Sequence, residues 1–181
     1  MDPDAYLCQL AEIFNGISVN TPSLSAIIAI ILAGLLLLAS GFASASEIAF
    51  FSLSPSDLND IEEGNHPSDG KISNLLADSE RLLATILITN NFVNVTIIML
   101  CNFFFMNVFV FHSPLAEFLI LTVILTFLLL LFGEIMPKIY SAQKTLAFCR
   151  FSAPVIYMLR KVFAPISAVL VHSTAFLNKH F

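Results

Sequence analysis

The 181 residues are 57% hydrophobic and only 12% charged, with a mean hydropathy of +0.88 and a formal net charge of −5. An average soluble domain carries roughly 25% charged residues, so water is not the main solvent of this chain. The eight Lys and Arg form no cluster suited to a phosphate backbone, which excludes nucleic acid as a partner.

The amino-terminal stretch MDPDAYLCQLAEIF is acidic and holds no Lys or Arg, unlike the basic start of a cleaved secretory signal. The first apolar run, Leu24 to Ala45, is therefore expected to stay in the mature chain. At about 1.5 Å per residue it is long enough to cross a hydrocarbon core of about 30 Å. A polar stretch follows from Phe51 to Arg81, with a loop at Glu62 to Gly70 (EEGNHPSDG). Its flanks, Ser56 to Glu63 and Ser73 to Glu80, read as short helices, the first capped by Ser54 or Ser56.

The second apolar run, Leu82 to Phe111, is unusually long and contains Asn90, Asn91, Asn94, Asn102 and Asn107. His112-Ser113-Pro114 breaks it, consistent with a tight hairpin into the third run, Leu115 to Phe132. That run ends in GEIMPK, which carries the span to about residue 136. From Phe151 to Phe181 the chain is apolar but interrupted by Pro154, Arg160, Lys161 and Pro165. Two charges near a bilayer centre are costly, and Val155, Leu159, Val162, Ile166, Val169 and Leu170 recur at helical spacing. The expectation is a bent amphipathic helix in the membrane interface, with a fourth span as the alternative.

Lys71, Arg81, Lys138, Lys144, Arg150, Arg160, Lys161 and Lys179 all fall on one side of a three-span arrangement. The positive-inside rule makes that side cytoplasmic and puts the amino terminus and the 112–114 hairpin outside. The expected fold class is an all-α membrane protein: residues 1–150 form a three-span domain with juxtamembrane helices, and 151–181 an interfacial tail. Cys8, Cys101 and Cys149 lie far apart, show no metal-ligand spacing and read as small apolar residues.

Polar residues inside the spans carry the functional signal. Ser40, Ser44 and Glu47 share one helix face in span one, and Asn91 and Asn94 lie three apart in span two, with Asn90 one turn before Asn94. In span three Thr122, Thr126 and Gly133 form a stripe that ends at Glu134. Pro137 has no N–H, which in an α-helix deprives the Gly133 carbonyl of its hydrogen bond. Hydroxyls, amide oxygens, a bare carbonyl and carboxylates make an oxygen-only ligand set, suited to hard cations such as Mg²⁺ rather than to Zn²⁺ or copper. The competing reading is helix packing, in which small residues admit close approach and Asn bridges helices. Glu134 also has Lys138 four residues on, the spacing of a helix-surface ion pair. No H-E-x-x-H, G-x-S-x-G or phosphate-binding glycine loop occurs, and the histidines are scattered, so an enzyme is not expected.

FASASEIAFFSLS (Phe42–Ser54), LLATILITNNFVN (Leu82–Asn94) and GEIMPK (Gly133–Lys138) together resemble the transmembrane domain of the CorC/CorB and cyclin M family. Within it the chain is most similar to the gliding-motility-associated GldE branch of Bacteroidetes, over nearly all of residues 20–181. The resemblance implies a homodimer in the bacterial inner membrane that exports Mg²⁺, with Na⁺ as counter-ion. It also implies an ion site: Ser44 from the S-x-S-E element, Ser40 one turn before it, Asn91 and Asn94 from N-x-x-N, and Gly133 and Glu134 from the G-E pair. Family members continue into paired CBS domains. No such region is present in these 181 residues, and ATP-linked regulation seated there would be absent from them. Two other roles fit the same resemblance: a membrane scaffold for gliding-machinery proteins, and a Mg²⁺ sensor acting on a separate transporter.

Overall fold

The computed structural model describes residues 17–111 and 114–166. His112, Ser113, Cys8 and the tail beyond residue 166 lie outside them. Among the described residues three helices are long and apolar enough to cross a membrane: Leu24–Phe51, Ser79–Val108 and Glu117–Gln143. The all-α membrane class is thus the observed one. A two-stranded antiparallel ribbon adds to it: β1 (Ile17–Val19) pairs with β2 (Phe109–Phe111), in the register Ile17 with Phe111 and Val19 with Phe109. It ties the chain entering span one to the chain leaving span two.

Span one is α1 (Leu24–Phe51), whose amino terminus is capped by the Ser23 hydroxyl accepting from the Ala26 N–H. Its buried face is made of small residues, Ala26, Ala29, Ala33, Ser40, Gly41, Ala43 and Ser44. Lipid gives apolar helices no hydrophobic reason to associate, so close packing along small residues has to hold them together. Against this face lies span two, α4 (Ser79–Val108), the most extensive helix pairing in the chain.

Between them α2 (Pro55–Glu62) and α3 (Asp69–Leu76) form a small layer at one end of the spans. Ser54 caps α2 in a capping box: its hydroxyl accepts from the Asp57 N–H, and the Asp57 carboxylate accepts from the Ser54 N–H. Gly64, at φ +70°, makes the left-handed turn that leaves α2. Ser73 to Glu80 does not form the second short helix. That helix starts at Asp69, and Ser79 and Glu80 already belong to span two.

Span three begins as α5 (Pro114–Leu128), continues through a π-helical segment (Leu129–Ile135) and ends as α6 (Met136–Gln143). It therefore runs past Pro137 instead of stopping there. The next helix, α7 (Thr145–Val162), starts before the expected boundary at residue 151 and contains Pro154. Its buried side, Cys149, Ala153 and Ile156, closes a core with Phe50, Ile61, Ile72, Leu75, Leu82 and Ile86. Burying each large side chain there contributes about 1.5–3 kcal/mol relative to exposure. A two-bond ion pair adds to it: the Arg150 Nε and Nη2 donate to Asp69 Oδ1 and Oδ2 at 2.9 and 3.1 Å.

A candidate cation site between the spans

The intramembrane polar groups sort into two kinds by where their hydrogen bonds go. Ser46, Thr85, Thr89, Thr96 and Asn107 each donate to the carbonyl one turn earlier in their own helix. That satisfies them locally in a solvent that offers no partner. Ser40, Ser44, Asn90 and Asn94 instead bond across from span one to span two.

The Ser40 hydroxyl, fully buried, donates to Asn90 Oδ1 at 2.9 Å and to Asn94 Oδ1 at 2.6 Å. The Ser44 hydroxyl reaches Asn90 Oδ1 at 3.5 Å. Ser40 has one proton for two amide oxygens, so several oxygen lone pairs converge on one point between the helices. Adjacent vertices of a Mg²⁺ octahedron with metal–oxygen distances of 2.0–2.1 Å stand about 2.9 Å apart. Hydrogen bonds and neighbouring cation ligands thus require nearly the same spacing, and turning these hydroxyl and amide oxygens from each other towards a cation, with every proton kept, needs little side-chain movement.

Span three approaches the cluster through its backbone. A Cβ added at Gly133 would stand 3.1 Å from Ser40 Oγ, and one added at Gly41 would stand 2.9 Å from Pro137 Cγ and 3.3 Å from the Phe132 carbonyl oxygen. Two glycines on facing helices therefore make the contact possible. The π segment also changes which carbonyl Pro137 deprives of a donor. The Met136 N–H bonds the Leu131 carbonyl, five residues back. In that register the missing Pro137 N–H leaves the Phe132 carbonyl, not that of Gly133, without its helical partner. The α-helical expectation for Gly133 is corrected accordingly: it brings span three close, and Phe132, beside Gly41, offers the bare oxygen.

Beyond this cluster the charged groups of spans one and three meet. Lys138 Nζ stands 3.2 Å from Glu47 Oε2 and 3.2 Å from Glu134 Oε1. One ammonium holds two carboxylates from two helices, which leaves the group with one net negative charge. No group of three or more His, Cys, Asp or Glu suited to a metal occurs among the described residues.

A family model described as the cyclin M transmembrane N-terminal domain matches residues 30–181. The chain belongs to the cyclin M family. It is also 32% identical over 130 residues to a UPF0053 protein of Haemophilus influenzae, across 72% of this chain and 30% of that protein. The chain thus corresponds to under a third of that relative's length.

Of the six residues assigned to the ion site from sequence, this cyclin M domain brings Ser40, Ser44, Asn94 and Gly133 together. Asn91 is not among them. It is exposed on α4, and Asn90 makes the contacts expected of it. The signal for Asn90 was present: it and Asn94 are four apart, the spacing that shares a helix face, whereas the N-x-x-N pattern favours Asn91. Glu134 is engaged with Lys138 and not with the serine–asparagine cluster. Glu47, noted on the Ser40 face but not assigned, joins Glu134 through Lys138. Thr122 and Thr126 are exposed and take no part.

Proposed function

We propose that this cyclin M domain moves Mg²⁺ across the bacterial inner membrane as a homodimer, exporting it with Na⁺ as counter-ion. The family is associated with transport of Mg²⁺ and other divalent cations. The observation that carries the reading is the convergence of the Ser40, Ser44, Asn90 and Asn94 oxygens between otherwise apolar helices. Packing alone does not call for it, because Ser46, Thr85, Thr89 and Thr96 of the same spans bond within their own helices.

In this mechanism the cytoplasmic end of the path is the end that carries Glu47, Glu134 and Lys138. The two carboxylates draw a hydrated cation in, and Lys138 competes with it for them. Deeper in, the serine and asparagine oxygens replace part of its water. Mg²⁺ dehydrates reluctantly and demands near-octahedral geometry, so the cluster selects by fit. The Phe132 carbonyl adds an oxygen from span three. Rearrangement of span three at its π segment, where helical hydrogen bonding is already irregular, then opens the site outward. The domain acts without catalysis.

Mg²⁺ flux in proteoliposomes tests this, with Asn90→Ala, Asn91→Ala and Asn94→Ala compared with the unaltered chain, with and without a Na⁺ gradient. Asn90→Ala and Asn94→Ala are expected to lower flux at least ~10-fold, the range typical even of residues that only support a ligand. Asn91→Ala is expected to stay near the unaltered rate. Flux lost with Asn91→Ala and kept with Asn90→Ala would overturn the site. Mg²⁺ binding without flux in the unaltered chain would favour the sensor role, and neither binding nor flux the scaffold.

A further inference from the structure

Where α3, the start of α4 and the end of α7 meet there is a cavity of about 370 Å³ lined by Asn74, Asp78, Arg81, Arg160, Lys161 and Ala164. Small-molecule sites begin at roughly this size. Three cations line it against one carboxylate, Asp78, whose oxygen is 3.5 Å from Arg81 Nε. The pocket therefore keeps a net positive charge in a chain whose total is −5. Arg160 is fixed in place, its guanidinium donating to the Asn74 carbonyl and side-chain oxygen. Lys161 Nζ and the Arg160 guanidinium carbon sit 5.0 and 5.4 Å from the centre of the Tyr157 ring, so one aromatic surface orients both.

A second observation indicates what chemistry would come there. Helix α7 is apolar on two opposite sides. One side carries Cys149, Ala153 and Ile156 in the core. The other carries Phe151, Val155, Met158 and Val162, which are 69, 46, 68 and 60% exposed and recur at helical spacing. Lys161 flanks that exposed stripe. Arg81 lies in the first turn of span two, so the cavity opens where a membrane span begins. An exposed apolar stripe beside a basic pocket at the end of a span matches a molecule with hydrocarbon chains and an anionic head.

We infer that this pocket binds the phosphate head group of an anionic membrane lipid, whose chains lie along the exposed stripe of α7. Basic recesses between helices on the cytoplasmic side of membrane proteins suit such head groups. The inference rests on the three long helices spanning a membrane and not on the transport reading, so either stands if the other fails.

The test is thermal unfolding of the purified chain in detergent micelles doped with phosphatidylglycerol, with phosphatidylcholine, or with inorganic phosphate alone. Phosphatidylglycerol is expected to raise the midpoint and the other two to leave it unchanged. In Arg81→Gln/Lys161→Gln the phosphatidylglycerol needed for half the effect is expected to rise about 25-fold, at roughly fivefold per cation. Lys71→Gln/Lys144→Gln, which removes the same charge from exposed positions elsewhere, is expected to behave like the unaltered chain. Equal stabilisation by inorganic phosphate would overturn the lipid assignment. An equal loss in the control pair, or no preference for phosphatidylglycerol, would overturn the pocket. Should the double variant unfold before lipid is added, Lys161→Gln alone gives the same readout at about fivefold.

Discussion

At the scale of single residues, the cluster depends on two properties that residue type alone does not reveal. One is the absence of side chains: Gly133 and Gly41 let spans one and three touch where a Cβ would stand 3.1 Å from Ser40 Oγ or 2.9 Å from Pro137 Cγ. Gly133→Ala is expected to cost about 1–3 kcal/mol as an overpacking change. By pressing on Ser40 it should also lower Mg²⁺ flux at least ~10-fold, the effect expected of disturbing a ligand's support. Thermal unfolding and proteoliposome flux on one preparation separate the two effects, and a well-folded variant with full flux would remove Gly133 from the site. The other property is the direction of hydrogen bonding. Ser46 and Ser40 are alike in the sequence, yet Ser46 bonds the Phe42 carbonyl in its own helix and Ser40 bonds two asparagines on another.

At the scale of elements, α7 is joined to the rest through water-side chemistry. The Arg150 hydrogen bonds hold the Asp69 carboxyl below the usual carboxylate range, against the opposing effect of its burial. A lowered folded value means that the stabilisation is fully present above the unfolded value of about 3.9, and is lost as pH falls through the folded one. Docking of α7 on α3 is therefore expected to be flat from pH 5 to 8 and to loosen below about pH 4. Hydrogen exchange of α7 amides, corrected for intrinsic rates, measures this, and loosening near pH 6 would contradict it. The apolar part of the same contact rests on side chains such as Ile156, which is fully buried. Ile156→Ala is expected to cost about 2–5 kcal/mol, read as an earlier unfolding midpoint and earlier proteolysis within α7. Burial also pushes the neighbouring Cys149 thiol up to about 12, so it packs as an apolar group.

At the scale of the whole molecule, the asymmetry of charge predicts an orientation. All six Lys and Arg of the helices and of the residues between them that lie outside the third span and its end, from Lys71 to Lys161, belong to α3, the first turn of α4, α7 or the residue before it. With the cytoplasm on that side, a membrane-impermeant maleimide applied to intact cells is expected to label Asn20→Cys and not Asn65→Cys, both exposed positions, each made together with Cys8→Ser so that no native amino-terminal thiol reacts. The reverse pattern would invert the topology and, with it, the side from which the proposed ion path opens.

Three spans, their order and the side bearing positive charge were legible in the sequence, because apolar length and Lys/Arg placement act along the chain and need no partner. So was the presence of Ser40, Ser44 and Asn94 as polar groups on inward faces of their spans. Only the tertiary structure decided which asparagine joins them. Asn90 and Asn91 are neighbours about 100° apart around a helix, and the helix facing that surface selects one. It also decided which carbonyl Pro137 frees, since seven residues wound as a π-helix shift the register by one. Glu134 shows the same division: its charge is written in the sequence. Its engagement with Lys138, and through Lys138 with Glu47, exists only once spans one and three are side by side.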